Sequence, residues 1–377
     1  LADSCDCMSA AFDGIEAMCA AESEESPDGD RAGCVLLSEV PDFFVEATGR
    51  LRAVCDEYLR RDYENAAPLF EDMRAALRQF GECAALADET FSFYCESVGG
   101  ECTVQLMCLD PSRLLDEAMK RAVSTSLFSA TLSPMDYYAD VCGCKNAVKL
   151  ELPSPYERDN LCLVTVDSVS TRLSSRKDTS ADVAELIAAV TESRAGNYIV
   201  YFPSYKYMNA VCRQYLRLSP GSKVIMQKQG MSIGERDRFL RAFAASAARG
   251  ESLTAFCVLG GIFSEGIDLR GESLIGSIIV GIGLPGLSSQ LNILAEYYDK
   301  TRESGRDYAY LYPAMNKILQ AAGRVIRSEE DRGVVVLIDD RYADPGIRKL
   351  FPSHWSRMQY TGDAYSLSRI LEKFWET

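Results

Sequence analysis

Asn316-Lys-Ile-Leu-Gln-Ala-Ala-Gly-Arg-Val-Ile-Arg-Ser328 is the stretch whose reading decides the fold. Taken as a helix, it places Gln320, Arg324 and Arg327 at i, i+4 and i+7, on one face. Ile318, Leu319, Ala321, Ala322, Val325 and Ile326 fill the remainder. A segment this apolar is expected to be largely buried, and guanidinium groups held against it need an anionic partner. Gly323 inside a helix costs about 1 kcal/mol relative to Ala, which suggests that another backbone or a ligand approaches closely. Phosphate fits both features. A solvated arginine face is the competing reading, and the apolar surround weakens it.

Three upstream segments each read as a buried strand that ends in small or polar residues. Ser126-Leu-Phe-Ser-Ala-Thr-Leu-Ser133 stops in hydroxyl side chains, and Tyr198-Ile-Val-Tyr-Phe-Pro-Ser-Tyr205 stops at Pro203 and a capping Ser204. Leu253 to Leu259 runs into Gly260-Gly-Ile-Phe-Ser-Glu-Gly-Ile-Asp268, a glycine-rich turn with two carboxylates. Ligands in open parallel sheets bind beyond the carboxyl ends of strands, so the three segments point to a shared edge. From about residue 153 onward, strands at Leu161–Val166, Asn197–Phe202 and near Lys223, Leu253, Leu274, Tyr308 and Val334 alternate with helices. The helices are expected at Ala181–Glu192, Tyr205–Leu216, Ile233–Ala248, Ser288–Tyr298 and Ala314–Ile326. Such alternation predicts an α/β fold, a mostly parallel sheet flanked by helices on both faces. Ahead of it, Leu1–Ala21 and Pro41–Phe80 carry helical periodicity, Glu22–Gly33 has the composition of an acidic loop, and Phe91–Ser97 with Cys102–Leu109 reads as a hairpin. The N-terminal part is therefore expected to be mainly helical.

In this order, the segments resemble the motor of superfamily 2 helicases of the XPD/DinG-like group. Ser129-Ala-Thr-Leu132 resembles motif III, Tyr201-Phe-Pro-Ser-Tyr205 motif IV, Ser264-Glu-Gly-Ile-Asp268 motif V and Gln320-Ala-Ala-Gly-Arg-Val-Ile-Arg327 motif VI. Leu152-Pro-Ser-Pro-Tyr156 is similar to the segment that opens the second motor lobe, and Asp339-Asp-Arg-Tyr342 to the Asp-x-Arg-aromatic element after motif VI. The resemblance covers about residues 103 to 377, and the ordered set is far more specific than any single motif. It implies a second RecA-like lobe over 151–377. A hairpin and remnant of a first lobe, with Leu114–Thr131 completing that lobe's sheet, would occupy 91–150, and a helical arch-like insertion 1–90. An ordinary helical packing domain remains an equal reading of 1–90.

The same resemblance implies ATP in a cleft between lobes, with Arg324 and Arg327 reaching its phosphates and Gln320 sensing the nucleotide. Glu265, Gly266, Asp268 and Gly323 would line the nucleotide side, Ser129 and Thr131 would transmit closure, and Ser204 and Tyr205 would touch single-stranded DNA or a forked duplex. Travel would run 5′ to 3′, with repair proteins as partners. The sequence contains neither G-x-x-x-x-G-K-[ST] nor an Asp-Glu-Ala-His box. The family carries both on the first lobe, so the chain reads as a C-terminal half that begins at Leu1. ATP and Mg²⁺ would both need that lobe, and no turnover is expected from these residues alone. Two other classes stay open: a nucleic-acid-binding or scaffold module without turnover, and a motor acting on RNA or remodelling protein–DNA complexes.

Charge divides the chain unevenly. Residues 1–110 hold 24 acidic side chains against 7 Arg and no Lys, a balance of −17, while the whole chain of 377 residues stands at −15. Phosphate neutralisation rests on Lys and Arg, so overall acidity argues against a simple DNA-coating protein and directs any strand path to the near-neutral C-terminal part. A length of 377 residues supports at least two domains. Eleven of the 14 Cys fall within the first 144 residues. The XPD/DinG-like group commonly carries a four-Cys iron–sulfur cluster, but Cys5-x-Cys7 and Cys142-x-Cys144 lack the usual spacing. Such a cluster, if the full-length protein has one, would lie outside this chain; no metal site is expected here, and these cysteines read as small buried hydrophobes. No apolar run approaches the ~20 residues needed to cross a bilayer, so no membrane partner is expected, and many unpaired thiols fit a reducing cytoplasm.

Overall fold

Apolar positions at threes and fours make the N-terminal segments helical. Helix α1 (Ala2–Ala21) buries Met8, Ala11, Ile15 and Cys19, and α2 (Asp42–Arg61) buries Phe44, Ala47, Leu51, Cys55 and Leu59. The computed structural model describes residues 2–21, 24–25, 31–61, 68–98, 101–264 and 273–376. Two compact units emerge, 1–124 with 141–144, and 125–140 with 145–377.

In the first unit, β1 (Glu24–Glu25), β2 (Arg31–Leu37), β3 (Phe91–Val98) and β4 (Glu101–Cys108) form an antiparallel sheet in that order. The expected hairpin is present, and it shares one core with α1, α2 and α3 (Pro68–Ala84) rather than standing apart from them. The acidic stretch read as a loop needs correction. Glu24–Glu25 and Arg31–Gly33 are strand residues, because Val35 and Leu37 lie opposite Cys95 and Phe93 on the covered face, and the ladder they anchor runs back through Arg31. Helix α4 (Ser112–Met119) also occupies residues expected to be part of a sheet.

The second unit is built on a seven-stranded, wholly parallel sheet. Its strands are β5 (Leu161–Val166), β6 (Asn197–Phe202), β7 (Val224–Met226), β8 (Leu253–Val258), β9 (Gly276–Val280), β10 (Gly333–Ile338) and β11 (Gln359–Thr361). They lie in the order β11-β5-β10-β9-β6-β8-β7. Near-continuous apolar runs are what a parallel strand covered on both faces requires. Successive residues accordingly alternate between two cores: Leu163, Ile199, Tyr201, Cys257, Ile279 and Leu337 face one, while Val164, Tyr198, Val200, Phe256, Ile278 and Val336 face the other. Helices α8 (Ile233–Ala248) and α10 (Tyr312–Ala322) close the first face. Helices α6 (Arg176–Ser193), α7 (Tyr205–Leu218) and α12 (Ala364–Glu376) close the second. Helix α8 starts where the sequence dictates, with Ser232 and Glu235 forming a reciprocal capping box. The short α5 (Met135–Val141), α9 (Ser289–Arg302) and α11 (Pro345–Arg348) complete the set.

Three local expectations fail for physical reasons. Ser126–Ser133 is irregular rather than a buried strand, with Phe128 92% exposed, because among the described residues no strand lies beside it to accept its backbone. Around Tyr308 there is no strand; Asp307–Leu311 is a π-helical turn leading into α10. The alternation of Tyr308, Tyr310 and Tyr312 mimics a strand, but the Tyr308 ring packs among Tyr137, Tyr298 and Tyr312 while its hydroxyl donates to Asp140, which also receives Arg302. Finally, the helix expected to run through Ile326 stops at Ala322.

Gly276 sits in register between Tyr198 and Val334, and a β-carbon there would fall 2.4 Å from a Tyr198 ring atom and 3.0 Å from a Val334 methyl. Gly276→Ala is therefore expected to destabilise the chain by about 1–3 kcal/mol through overpacking, read as a lower urea midpoint with an unchanged slope; an unaltered midpoint would show that the sheet can part to admit the methyl.

Candidate functional site

Parallel strands end together, so the loops after β5, β6, β7, β8, β9 and β10 share the carboxyl edge of the sheet, where open α/β folds place their ligands. After β6, Ser204 is extended and its hydroxyl accepts the backbone N–H of Tyr207, capping α7 and fixing Tyr205 as its first residue. The Tyr205 hydroxyl accepts a 2.9 Å bond from Gln227 Nε2, one residue beyond β7. Gln227 is only 4% exposed, and its Oε1 accepts the Val258 N–H at 3.0 Å.

Beyond β8 the chain turns tightly. Gly260 takes φ +73°, a region that favours glycine, and Gly261 has no room for a β-carbon because Gln227 Nε2 would lie 2.6 Å away. The buried Ser264 hydroxyl accepts the Gly260 N–H at 2.9 Å and donates to the Val258 carbonyl at 3.2 Å, tying the turn to the strand it leaves. The Ser264 carbonyl in turn accepts both Nε and Nη2 of Arg324, at 3.2 and 2.8 Å.

Arg324 reaches this turn and Arg327 lies within electrostatic reach of the Tyr201 ring beside it, though not by the helical geometry the sequence suggested. Gly323 ends α10, its N–H bonding to the Leu319 carbonyl with an ordinary negative φ. The close approach expected at Gly323 amounts to the helix's own Leu319 carbonyl, 3.2 Å from where a β-carbon would stand. Past it, Asp331 accepts the backbone N–H groups of Arg327 and Ser328 at 2.7 and 2.8 Å, and the Arg327 carbonyl accepts the Tyr156 hydroxyl at 2.9 Å. Burial drives the Tyr201 phenol well above its ordinary pKa, and the charges of Arg324 and Arg327 oppose that rise, so both guanidiniums lie within electrostatic reach of one ring. Gln320 is half-buried in the last turn of α10. Ser129 and Thr131 hydrogen-bond to each other on an exposed stretch. Glu265, Gly266 and Asp268 lie outside the described residues.

A second polar cluster lies after β10. Asp339, with no exposure, receives Arg341 through Nε at 2.6 Å and Nη2 at 2.8 Å, and the Thr171 hydroxyl donates to the same carboxylate. Arg176 donates to the Thr171 carbonyl at 3.0 Å and lies over the Tyr207 ring. Burial alone would raise the Asp339 pKa, but the Arg341 bonds and charge, with Thr171, bring it below the ordinary carboxylate value. The resemblance pointed to Asp339–Tyr342; no feature of the sequence pointed to Thr171, Gln227 or Asp331, which act through contacts made only in the fold. Among the described residues, no group of three or more His, Cys, Asp or Glu is placed to hold a metal.

Residues 187–358 match the helicase C-terminal domain family. Over that stretch the chain resembles the C-terminal helicase domain of XPD- and CHL1-like proteins. It is similar to the ATP-dependent DNA helicase CHL1 of Meyerozyma guilliermondii, 25% identical over 308 residues that cover 74% of this chain and 37% of that protein. It also resembles the XPD helicase subunit of general transcription and DNA repair factor IIH from Arabidopsis thaliana, 25% identical over 264 residues, 66% of this chain and 35% of that protein. The chain thus spans little more than a third of the length of these relatives. The fold of the helicase domain and its neighbouring segments is that of S. tokodaii Xpd4, with a TM-score of 0.57 at 17% identity over 87% of this chain and 61% of that one. An apo XPD structure gives 0.56 at 20% identity, over 86% and 63%.

Because the folded-state pKa of Asp339 lies below its unfolded value of about 3.9, its contribution to stability is present above that value and is lost as pH falls through the folded-state pKa. Asp339→Ala should cost about 3–5 kcal/mol at neutral pH, the usual penalty for stranding one member of a buried pair. In denaturation series from pH 7 to 2, the gap between wild type and variant should narrow as acid is added; a constant gap would mean that the carboxylate charge contributes nothing.

Proposed function

We propose that this chain is the C-terminal half of an ATP-dependent DNA helicase, coupling ATP hydrolysis to 5′ to 3′ travel along single-stranded DNA. The observation that carries the proposal is that Arg324 is held on the turn after β8 through the Ser264 carbonyl while Arg327 lies within electrostatic reach of the same Tyr201 ring. The ordered motifs and the kinship with proteins named as ATP-dependent DNA helicases support it. Both arginines are half-buried, and a partly desolvated guanidinium suits a phosphate better than a hydrated ammonium does, through its planar fork of donors.

Arg324 and Arg327 would meet the charge that develops on the transferred phosphoryl group, an electrostatic role that needs a fixed position more than strong basicity. The Arg324 side chain is held on the Ser264 carbonyl, and the backbone at Arg327 is held by Asp331 and Tyr156. Both arginines are assigned to the phosphates, as the resemblance of 320–327 to motif VI implies. Ser204 and Tyr205 would contact the strand, by a phosphate and a base respectively, since stacking accepts any base. The phosphate-binding loop and Mg²⁺ ligands would come from the remainder of a longer protein, and no residue of this chain is assigned to the metal.

In the full-length protein, Arg327→Ala and Arg327→Lys are both expected to lower the kcat for ATP hydrolysis by about 10³-fold or more, with nucleotide Kd changed far less. Steady-state hydrolysis with and without single-stranded DNA, alongside nucleotide titration, measures both quantities. Near-wild-type kcat in Arg327→Ala would remove the assigned role.

A further inference from the structure

Gln227 belongs to none of the motifs that carry the resemblance, yet it joins Tyr205 of one to the end of the strand that leads into another. Its Nε2 donates to the Tyr205 hydroxyl and its Oε1 accepts the Val258 N–H. From Val258 the chain of bonds continues: the Val258 carbonyl accepts the Ser264 hydroxyl, the same hydroxyl accepts the Gly260 N–H, and the Ser264 carbonyl holds Arg324. Gly261 is pressed against the Gln227 amide closely enough to exclude a β-carbon, so the turn cannot shift toward β7 without displacing that side chain. Apart from the exposed Gly260, the members of this series are buried or half-buried, where hydrogen bonds are little diluted by water.

We propose that Gln227 is the positioning residue through which occupancy at Tyr205 is felt at Arg324. The inference rests on the reading of Tyr205 as a strand contact and Arg324 as a nucleotide contact. A shift of the Tyr205 ring on stacking against a base moves its hydroxyl. The Gln227 amide follows, being rigid and bonded at both ends, and it pulls on the first residues of the turn whose carbonyl fixes the arginine. Two sites are then joined by one continuous set of bonds instead of by proximity alone, a network of the kind through which coupling between sites can travel. A side chain that merely fills space at 227 would leave Tyr205 and the turn independent.

The experiment measures ATP hydrolysis by the full-length protein with and without a single-stranded dT oligonucleotide, in wild type, Gln227→Leu, Gln227→Glu, Tyr205→Phe and the Gln227→Leu/Tyr205→Phe double variant. Gln227→Leu removes both bonds; Gln227→Glu can still accept from Val258 and bond the Tyr205 hydroxyl. Tyr205→Phe keeps the ring and removes only the atom that Gln227 holds. The expected result is that Gln227→Leu lowers the ratio of stimulated to unstimulated rate by about fivefold or more, the lower range of typical coupling. The half-saturating oligonucleotide concentration should change less, Gln227→Glu should retain most of the ratio, and the double variant should be no worse than either single one. A purely structural role would lower both rates together and leave the ratio intact, which would overturn the proposal, as would independent, multiplying effects of the two substitutions. Thermal melting identifies a variant that fails to fold; if Gln227→Leu does so, Tyr205→Phe decides, and a wild-type ratio there refutes the coupling. Absence of stimulation in the wild type would sink the helicase reading itself, a result distinct from a stimulated wild type with an indifferent Gln227.

Discussion

Seven strands running the same way and buried on both faces leave a single place for polar chemistry. Along β6 every side chain is covered, and the alternate residues of its neighbours feed one apolar core or the other. Charged or hydrogen-bonding groups can enter such a sheet only where strands end, and parallel strands end together. The capped start of α7, the turn after β8 and the Asp339–Arg341 pair after β10 are all products of that one restriction. Each is a local answer to the same question, namely how backbone groups leaving a ladder find partners.

The regular elements were legible because their signals are local. Strands β5 and β6 and helix α8 begin and end where apolar runs, Pro203 and the Ser232 capping box place them. Elements stabilised by tertiary contact were not. The arginines of 316–328 sit at helical spacing in the sequence, but Gly323 closes the helix, and Asp331, Tyr156 and Ser264 then dictate the path. Tyrosines at alternate positions from 308 wrote a strand pattern, while packing with Tyr137 and Tyr298 made them a helical turn. At the site, the motif residues Arg324, Arg327, Ser204 and Tyr205 could be named from order alone; Gln227 could not, since a glutamine after a three-residue strand carries no pattern until Tyr205 and Val258 stand on either side of it.

Electrostatics follow the same division. The surplus of negative charge lies in residues 1–110, which form helices and a small antiparallel sheet with their own core, whereas the carboxyl sheet edge of the second unit gathers Arg176 and Arg341, and the turn after β8 holds Arg324. The only fully buried carboxylate at that edge, among the described residues, is Asp339, and it is satisfied by a two-pronged arginine and a hydroxyl. Buried pairs of this kind contribute little net stability but strongly penalise any arrangement that separates them. The loop after β10 is held to one conformation accordingly.

Arg324 leans on a main-chain oxygen, the Ser264 carbonyl. An acceptor of that kind never titrates, and its place is set by the curvature of the polypeptide between Val258 and Ser264, which the Ser264 hydroxyl helps to hold. Drift in the amino acids of that bend could be tolerated for as long as its shape persists; a single inserted residue would move the arginine without touching it.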